Sequence, residues 1–133
     1  MRLKKLTDIE LLPSVLDIKE VNHYLIQLIN LLENDNTISK SQGAAEINNL
    51  ISYQGYNEQG LNVESSQRIL SWIRSNYDPN CKDSIEWNSA NLANLNCSGV
   101  EEFINKRIEN SDCDQEKDEL KDCLKEIKKA KLQ

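Results

Sequence analysis

Val15-Leu16-Asp17-Ile18-Lys19-Glu20-Val21-Asn22-His23-Tyr24-Leu25-Ile26-Gln27-Leu28-Ile29-Asn30-Leu31-Leu32-Glu33 is the stretch that decides the fold. Val15, Ile18, Val21, Leu25, Leu28 and Leu32 recur at helical spacing and form one apolar stripe. Leu16, Tyr24, Ile26, Ile29 and Leu31 widen it beyond a single face. A helix apolar around so much of its circumference sits centrally, with others packed about it. Pro13 and the pair Ser14/Asp17 mark its start, and Asn34-Asp35-Asn36-Thr37 ends it.

The same 3.6-residue period runs outward in both directions. Upstream, Leu3, Leu6, Ile9 and Leu12 predict a short first helix or an arm over residues 1–13, with Thr7 and Glu10 as a capping box. Downstream, a helix is expected from Ser39 to Tyr53, burying Ala44, Ile47, Leu50 and Ile51 and weakened by Gly43. Gln54 to Gly60 reads as a loop flanked by Tyr53 and Tyr56. Asn62 caps a helix from Val63 to Tyr77, and Asp78-Pro79-Asn80 makes a turn. Asp83 or Ser84 starts a helix reaching Cys97, with Gly99 as its C-terminal glycine. Val100 to Ile108 form a short helix, and Ser111 caps the last one, striped by Leu120, Cys123, Leu124, Ile127 and Ala130. No segment alternates as a strand would, and no internal repeat stands out. The expectation is one all-α domain over residues 1–133, a compact bundle of five to seven helices joined by short loops.

Composition limits the function. Four glycines and two prolines in 133 residues suit long helices rather than tight β turns. With 16 Lys and Arg against 22 Asp and Glu, the net charge is -6. Such a chain is repelled by phosphate backbones and anionic lipid, and is matched by a basic protein partner. Direct nucleic-acid binding and membrane binding are not expected. Asp8 and Glu10 interrupt what would have to be the apolar part of a leader after Arg2, Lys4 and Lys5, so the cytoplasm is the expected compartment.

Chemistry-bearing constellations are scarce. Cys81, Cys97, Cys113 and Cys123 contain no close pair, which argues against structural zinc and a Cys-x-x-Cys redox motif. Free, partly buried thiols are the expectation. If they were oxidised, Cys81–Cys113 with Cys97–Cys123 would be least strained, because ten residues of helix hold Cys113 and Cys123 roughly 15 Å apart. Asp112, Asp114 and Glu116 alternate like an EF-hand loop, but Lys117 stands where its glycine belongs and Cys123 where its bidentate glutamate belongs. His23 is the sole histidine, and nothing in its surroundings supports a Cys–His pair. No cofactor is expected and no enzymatic role is assigned. Trp72, Trp87, Tyr53 and Tyr56 fall outside the clean stripes and are either core or interface anchors.

What stands out is charge. Glu101, Glu102, Glu109, Asp112, Asp114, Glu116, Asp118 and Glu119 concentrate acid over two neighbouring helices, before Lys125, Lys128, Lys129 and Lys131 reverse the sign. Helix electrostatics account for part of this, since acids in a first turn and lysines in a last turn complement the macrodipole. Like charges four apart, at Lys117/Lys121 and Asp118/Asp122, are not arranged for strong internal pairing. The eight acids are the expected partner-binding surface.

In size, acidity and lack of catalytic motifs the chain resembles bacterial immunity proteins, notably those of contact-dependent inhibition systems. The resemblance implies tight binding of a cognate toxin domain, often a basic nuclease, with its active site covered. The alternative reading is a helical adaptor or oligomeric structural protein that uses an apolar surface.

Overall fold

The computed structural model describes residues 2–53 and 60–131. Among them are seven helices and no strand, an all-α bundle as the periodicity predicts. The Tyr56 loop lies outside the described residues.

The first segment, Leu6–Leu11, is a 3₁₀ helix. Leu3, Leu6, Ile9 and Leu12 recur every third residue, and in a 3₁₀ helix side chains three apart eclipse one another. The exact threefold spacing was the local signal. Asp8, rather than the Thr7/Glu10 pair, serves its N-terminus: Oδ2 accepts from the N–H groups of Lys4 at 2.8 Å and Lys5 at 3.1 Å.

α1 runs Ile18–Asn34 and begins three residues later than expected. The reason is a capping box. Asp17 Oδ1 accepts from the Glu20 N–H at 2.9 Å, and Glu20 Oε1 reaches back to the Asp17 N–H at 3.4 Å. Ser14 is therefore not the cap, and Val15 projects into solvent. Val21, Leu25, Leu28 and Ile29 are fully enclosed.

α2, Lys40–Ser52, is capped by Ser39, which the sequence reading placed inside the helix, and α3, Val63–Asn76, has its expected cap, Asn62. Gly43 has a use that helix propensity does not reveal. A Cβ there would lie 2.9 Å from Trp72 Cζ2 and 3.3 Å from Leu32 Cδ1. Gly43 is thus where α1, α2 and α3 come closest. Asn22, in the apolar stripe of α1, ties α1 to the start of α3: its Oδ1 accepts from the Asn62 N–H at 3.1 Å and its carbonyl from Ser65 Oγ at 3.3 Å.

α4 spans Lys82–Leu92 and stops five residues short of Cys97. Neither Asp83 nor Ser84 caps it. Cys81 holds that position without a side-chain bond, and Ser84 is buried inside the helix. There its hydroxyl accepts from the Asp78 N–H at 3.0 Å and the Asn88 amide at 3.1 Å, pinning the preceding turn. Ser66 of α3 similarly draws in the chain after α4, accepting from the Asn96 N–H at 2.8 Å.

α4 buries an unusual face, with Ser84, Asn88, Ser89 and Asn91 alongside Ile85 and Leu92. It packs most extensively on α2. Asn91 donates to the Ala44 carbonyl at 2.9 Å and accepts from Asn48 at 3.1 Å, so this contact is partly hydrogen-bonded. Asn88 Oδ1 and Ser89 Oγ are buried without a partner among the described residues.

Gly99 does not end α4. It stands immediately before α5, Val100–Asn110, with φ at +93°, a conformation that costs other residues the Cβ penalty of the left-handed region. α6, Asp114–Lys131, returns antiparallel to α5. Ser111 sits just outside it, its Oγ accepting from the Cys113 N–H at 3.1 Å. A single apolar cluster links the 3₁₀ segment with every α-helix, and Leu28, Ile47, Leu50, Ile69, Ile73, Leu92, Ile104 and Leu120 fill its middle.

Candidate functional site

The eight acids divide into three environments. Glu116 leaves the surface altogether, being 1% exposed. Arg107 grips it with both forks, Nε to Oε2 and a terminal nitrogen to Oε1, each at 3.0 Å. Tyr77 donates its hydroxyl to Oε2 at 2.5 Å. The Arg107 guanidinium also lies 5.5 Å over the Tyr77 ring, which meets Phe103 edge-on at 5.8 Å. Burial pushes the Glu116 carboxyl up, but its hydrogen bonds, led by those from Arg107, outweigh this and hold it below the usual range. Burial and the Glu116 carboxylate together push the Tyr77 phenol far upward. Glu116 therefore fastens α3, α5 and α6 and is unavailable to a partner.

The second set is the tip of the α5–α6 hairpin. Glu109, Asp112, Asp114 and Asp118 are exposed there, with exposed Lys106 and half-buried Lys117 the nearest lysines in sequence. The Arg107–Glu116 clamp ties α5 to α6 next to this tip. Glu119 is half-buried, one turn further along α6.

The third set is at the opposite end of the hairpin. Glu101 is held by Lys131 at 2.8 Å, while Glu102 is exposed beside it. Lys131 keeps the Glu101 carboxyl below its ordinary range. Both glutamates edge a groove of about 530 Å³ between the starts of α3 and α5 and the end of α6.

The outer face of α6 carries a pattern that composition conceals. Asp114, Asp118, Asp122 and Glu126 recur every four residues, each followed three positions on by Lys117, Lys121, Lys125 and Lys129. On a helix this lays an acid row beside a lysine row, with each acid N-terminal to its lysine in the favourable order. Reading only the fourfold like-charge neighbours misses the threefold opposite pairs. Asp114 and Asp118 thus each have a lysine on their own face of α6, and the tip acids outside this pattern are Glu109 and Asp112.

The two tryptophans separate cleanly. Trp72 is 5% exposed and packs on Gly43, whereas Trp87 on α4 is 38% exposed. Tyr53 is half-buried against the core. All four cysteines are free thiols. Burial raises Cys97 despite the nearby Arg74, and pushes Cys123 up to about 12, so both stay protonated and act as apolar packing. His23 is exposed, 2.7 Å from the Gln27 amide nitrogen and edge-on to Tyr24. Among the described residues no three His, Cys, Asp or Glu side chains converge closely enough to hold a metal ion. Nor is any helix long and apolar enough to cross a membrane.

A scan of protein-family models, a search of curated proteins and a search of solved structures each return no match to this chain.

Proposed function

We propose that the chain is a non-enzymatic binding protein of the cytoplasm, an immunity protein that neutralises a basic toxin domain by covering its active site or substrate surface. The observation that carries this reading is the net-negative tip formed by Glu109, Asp112, Asp114 and Asp118 beside the Arg107–Glu116 clamp. Lysines and arginines that a nuclease turns toward phosphate are the natural counterpart of such a surface. Trp87 is a candidate apolar anchor, since tryptophan contributes heavily to interface energy.

Co-expression with the product of the adjoining upstream gene tests the biology: rescue of growth from a toxic product supports the reading, and toxicity undiminished by this chain rejects it. The triple variant Glu109→Lys, Asp112→Lys, Asp114→Lys tests the surface. Its association with the toxin domain should slow by about tenfold or more at low salt and lose most of its salt dependence. An unchanged rate with an unchanged salt slope removes the tip from the interface.

The adaptor reading rests on Leu11 and Val15, which are both exposed, one on either side of Pro13. It expects assembly that salt hardly alters.

A further inference from the structure

α5 is held differently from the helices around it. Of its eleven residues only Val100 and Ile104 are enclosed, with Phe103 and Ile108 half-buried beside them. α4, of the same length, encloses six side chains, and α1 encloses Val21, Asn22, Tyr24, Leu25, Leu28 and Ile29. The cost of detaching a helix follows the apolar area it uncovers, so α5 is cheaper to release than either.

Its neighbours are few as well. Among the described residues α6 is the one helix on which α5 packs extensively, whereas α6 also packs on α4, and α2 packs on both α1 and α4. Toward α3 the hold is made by a few long side chains. The ring of Tyr77, at the end of α3, meets Phe103 edge-on at 5.8 Å and lies under the Arg107 guanidinium at 5.5 Å, and its hydroxyl donates to Glu116. One end of α5 is thus fastened mainly through a single aromatic residue. At the other end Arg74 and Leu70 approach Gly99.

The flanking chain supplies the pivots. Upstream the backbone is pinned as far as Asn96, whose N–H donates to Ser66 Oγ at 2.8 Å. Cys97-Ser98-Gly99 then lead into α5 outside any helix, with φ at +93° for Gly99. Downstream, Ser111-Asp112-Cys113 separate α5 from α6. A helix of eleven residues does not persist in water without neighbours, so α5 loses its internal hydrogen bonds when it detaches.

We propose that α5 is a detachable unit, which leaves the bundle and unfolds as one cooperative piece between Gly99 and Ser111 while α1, α2, α3, α4 and α6 stay packed. The consequence is a conformational switch on the acidic tip. Glu109 belongs to α5, and Asp114 and Asp118 belong to α6, so opening separates them and frees Glu116 from Arg107. This opening belongs to the chain alone, whichever partner the tip meets.

Native-state hydrogen exchange of the full chain in low concentrations of urea tests it. The amides of Ile104, Asn105, Lys106, Arg107 and Ile108 should share one opening constant, about tenfold or more above that of Leu25, Leu28 and Ile29 in α1. Their urea dependence should be weaker, because less surface is uncovered. Two variants separate the unit from the whole. Asn91→Ala weakens the α2–α4 contact, which survives the opening of α5, so it should speed the α1 amides about tenfold and leave those of α5 unchanged. Tyr77→Phe removes a bond that is lost both when α5 opens and when the whole chain unfolds, so it should speed both sets by a similar factor. The proposal is overturned if α5 and α1 share one rate and one urea slope, or if α5 exchange only rises in a gradient toward the helix ends, the mark of fraying. It is overturned equally if Asn91→Ala speeds α5 as much as α1, or if Tyr77→Phe leaves α5 unaltered. No toxin domain enters the measurement, so the binding reading stands or falls separately.

Discussion

Glu116 is a carboxylate in the interior of the fold, with its oxygens taken by Arg107 and Tyr77. Removing one member of a buried ion pair leaves the other uncompensated, at a cost of about 3–5 kcal/mol in fully enclosed sites. Arg107 keeps 26% of its side chain exposed, so water recovers part of this. Glu116→Ala should cost about 2–3 kcal/mol by that argument, measured from urea unfolding midpoints. The folded protein holds the carboxyl below its ordinary value of 4.5, and so binds fewer protons there than the unfolded chain. The stability it contributes is present above that pH and is lost as pH falls through the lower folded value. Glu116→Gln should therefore flatten the stability profile on the acid side, and an unaltered acid slope would show that the clamp does not set it. Gly43 makes a second residue-scale case. Alanine is the better helix former by up to about 1 kcal/mol, but its methyl would press on the buried Trp72 ring at 2.9 Å. Overpacking costs roughly 1–3 kcal/mol, so Gly43→Ala should lower the thermal midpoint despite the propensity gain.

α4 shows what a whole element can hide. Four of its six buried residues are serine or asparagine, which leaves its apolar stripe sparse. The element is nevertheless central, since α2 receives those side chains as hydrogen-bond partners. Two neighbouring substitutions should then move stability in opposite directions. Asn91→Ala strips the Ala44 carbonyl and the Asn48 amide of a partner and should cost about 1–3 kcal/mol. Ser89→Ala removes a buried hydroxyl that has no partner among the described residues and should be neutral or gain up to about 1 kcal/mol. Equal losses in both, by chemical denaturation, would mean that Ser89 is satisfied in solution. α6 is the converse case, an element whose outer face carries charge in balanced rows rather than as an acid block. Its lysine row offers a control on the tip. Lys121→Glu with Lys125→Glu should speed association with a basic partner at low salt while leaving the dissociation rate nearly unchanged.

At the scale of the molecule, the chain's helical period was enough to establish an all-α bundle of five to seven helices and most of their apolar faces. Side chains three and four apart share a face whatever surrounds them, so this information is local and the sequence by itself determined it. The cap at Asn62 was legible for the same reason. At the first two helices the side-chain bonds of Asp8 and Asp17 decided the boundary, in place of the expected Thr7/Glu10 and Ser14. The candidate surface was legible only as a list of acids. Asp112 and Glu116 look alike in sequence, yet one meets solvent and the other meets Arg107, nine residues before it and on another helix. The groove beside Val63 brings together the starts of two helices and the end of a third, positions separated by up to 68 residues as Val63 and Lys131 stand in the chain. Burial, pairing and convergence depend on how helices pack, and packing depends on shapes such as the notch at Gly43 that no periodicity records. The tertiary structure alone decided which charges face outward.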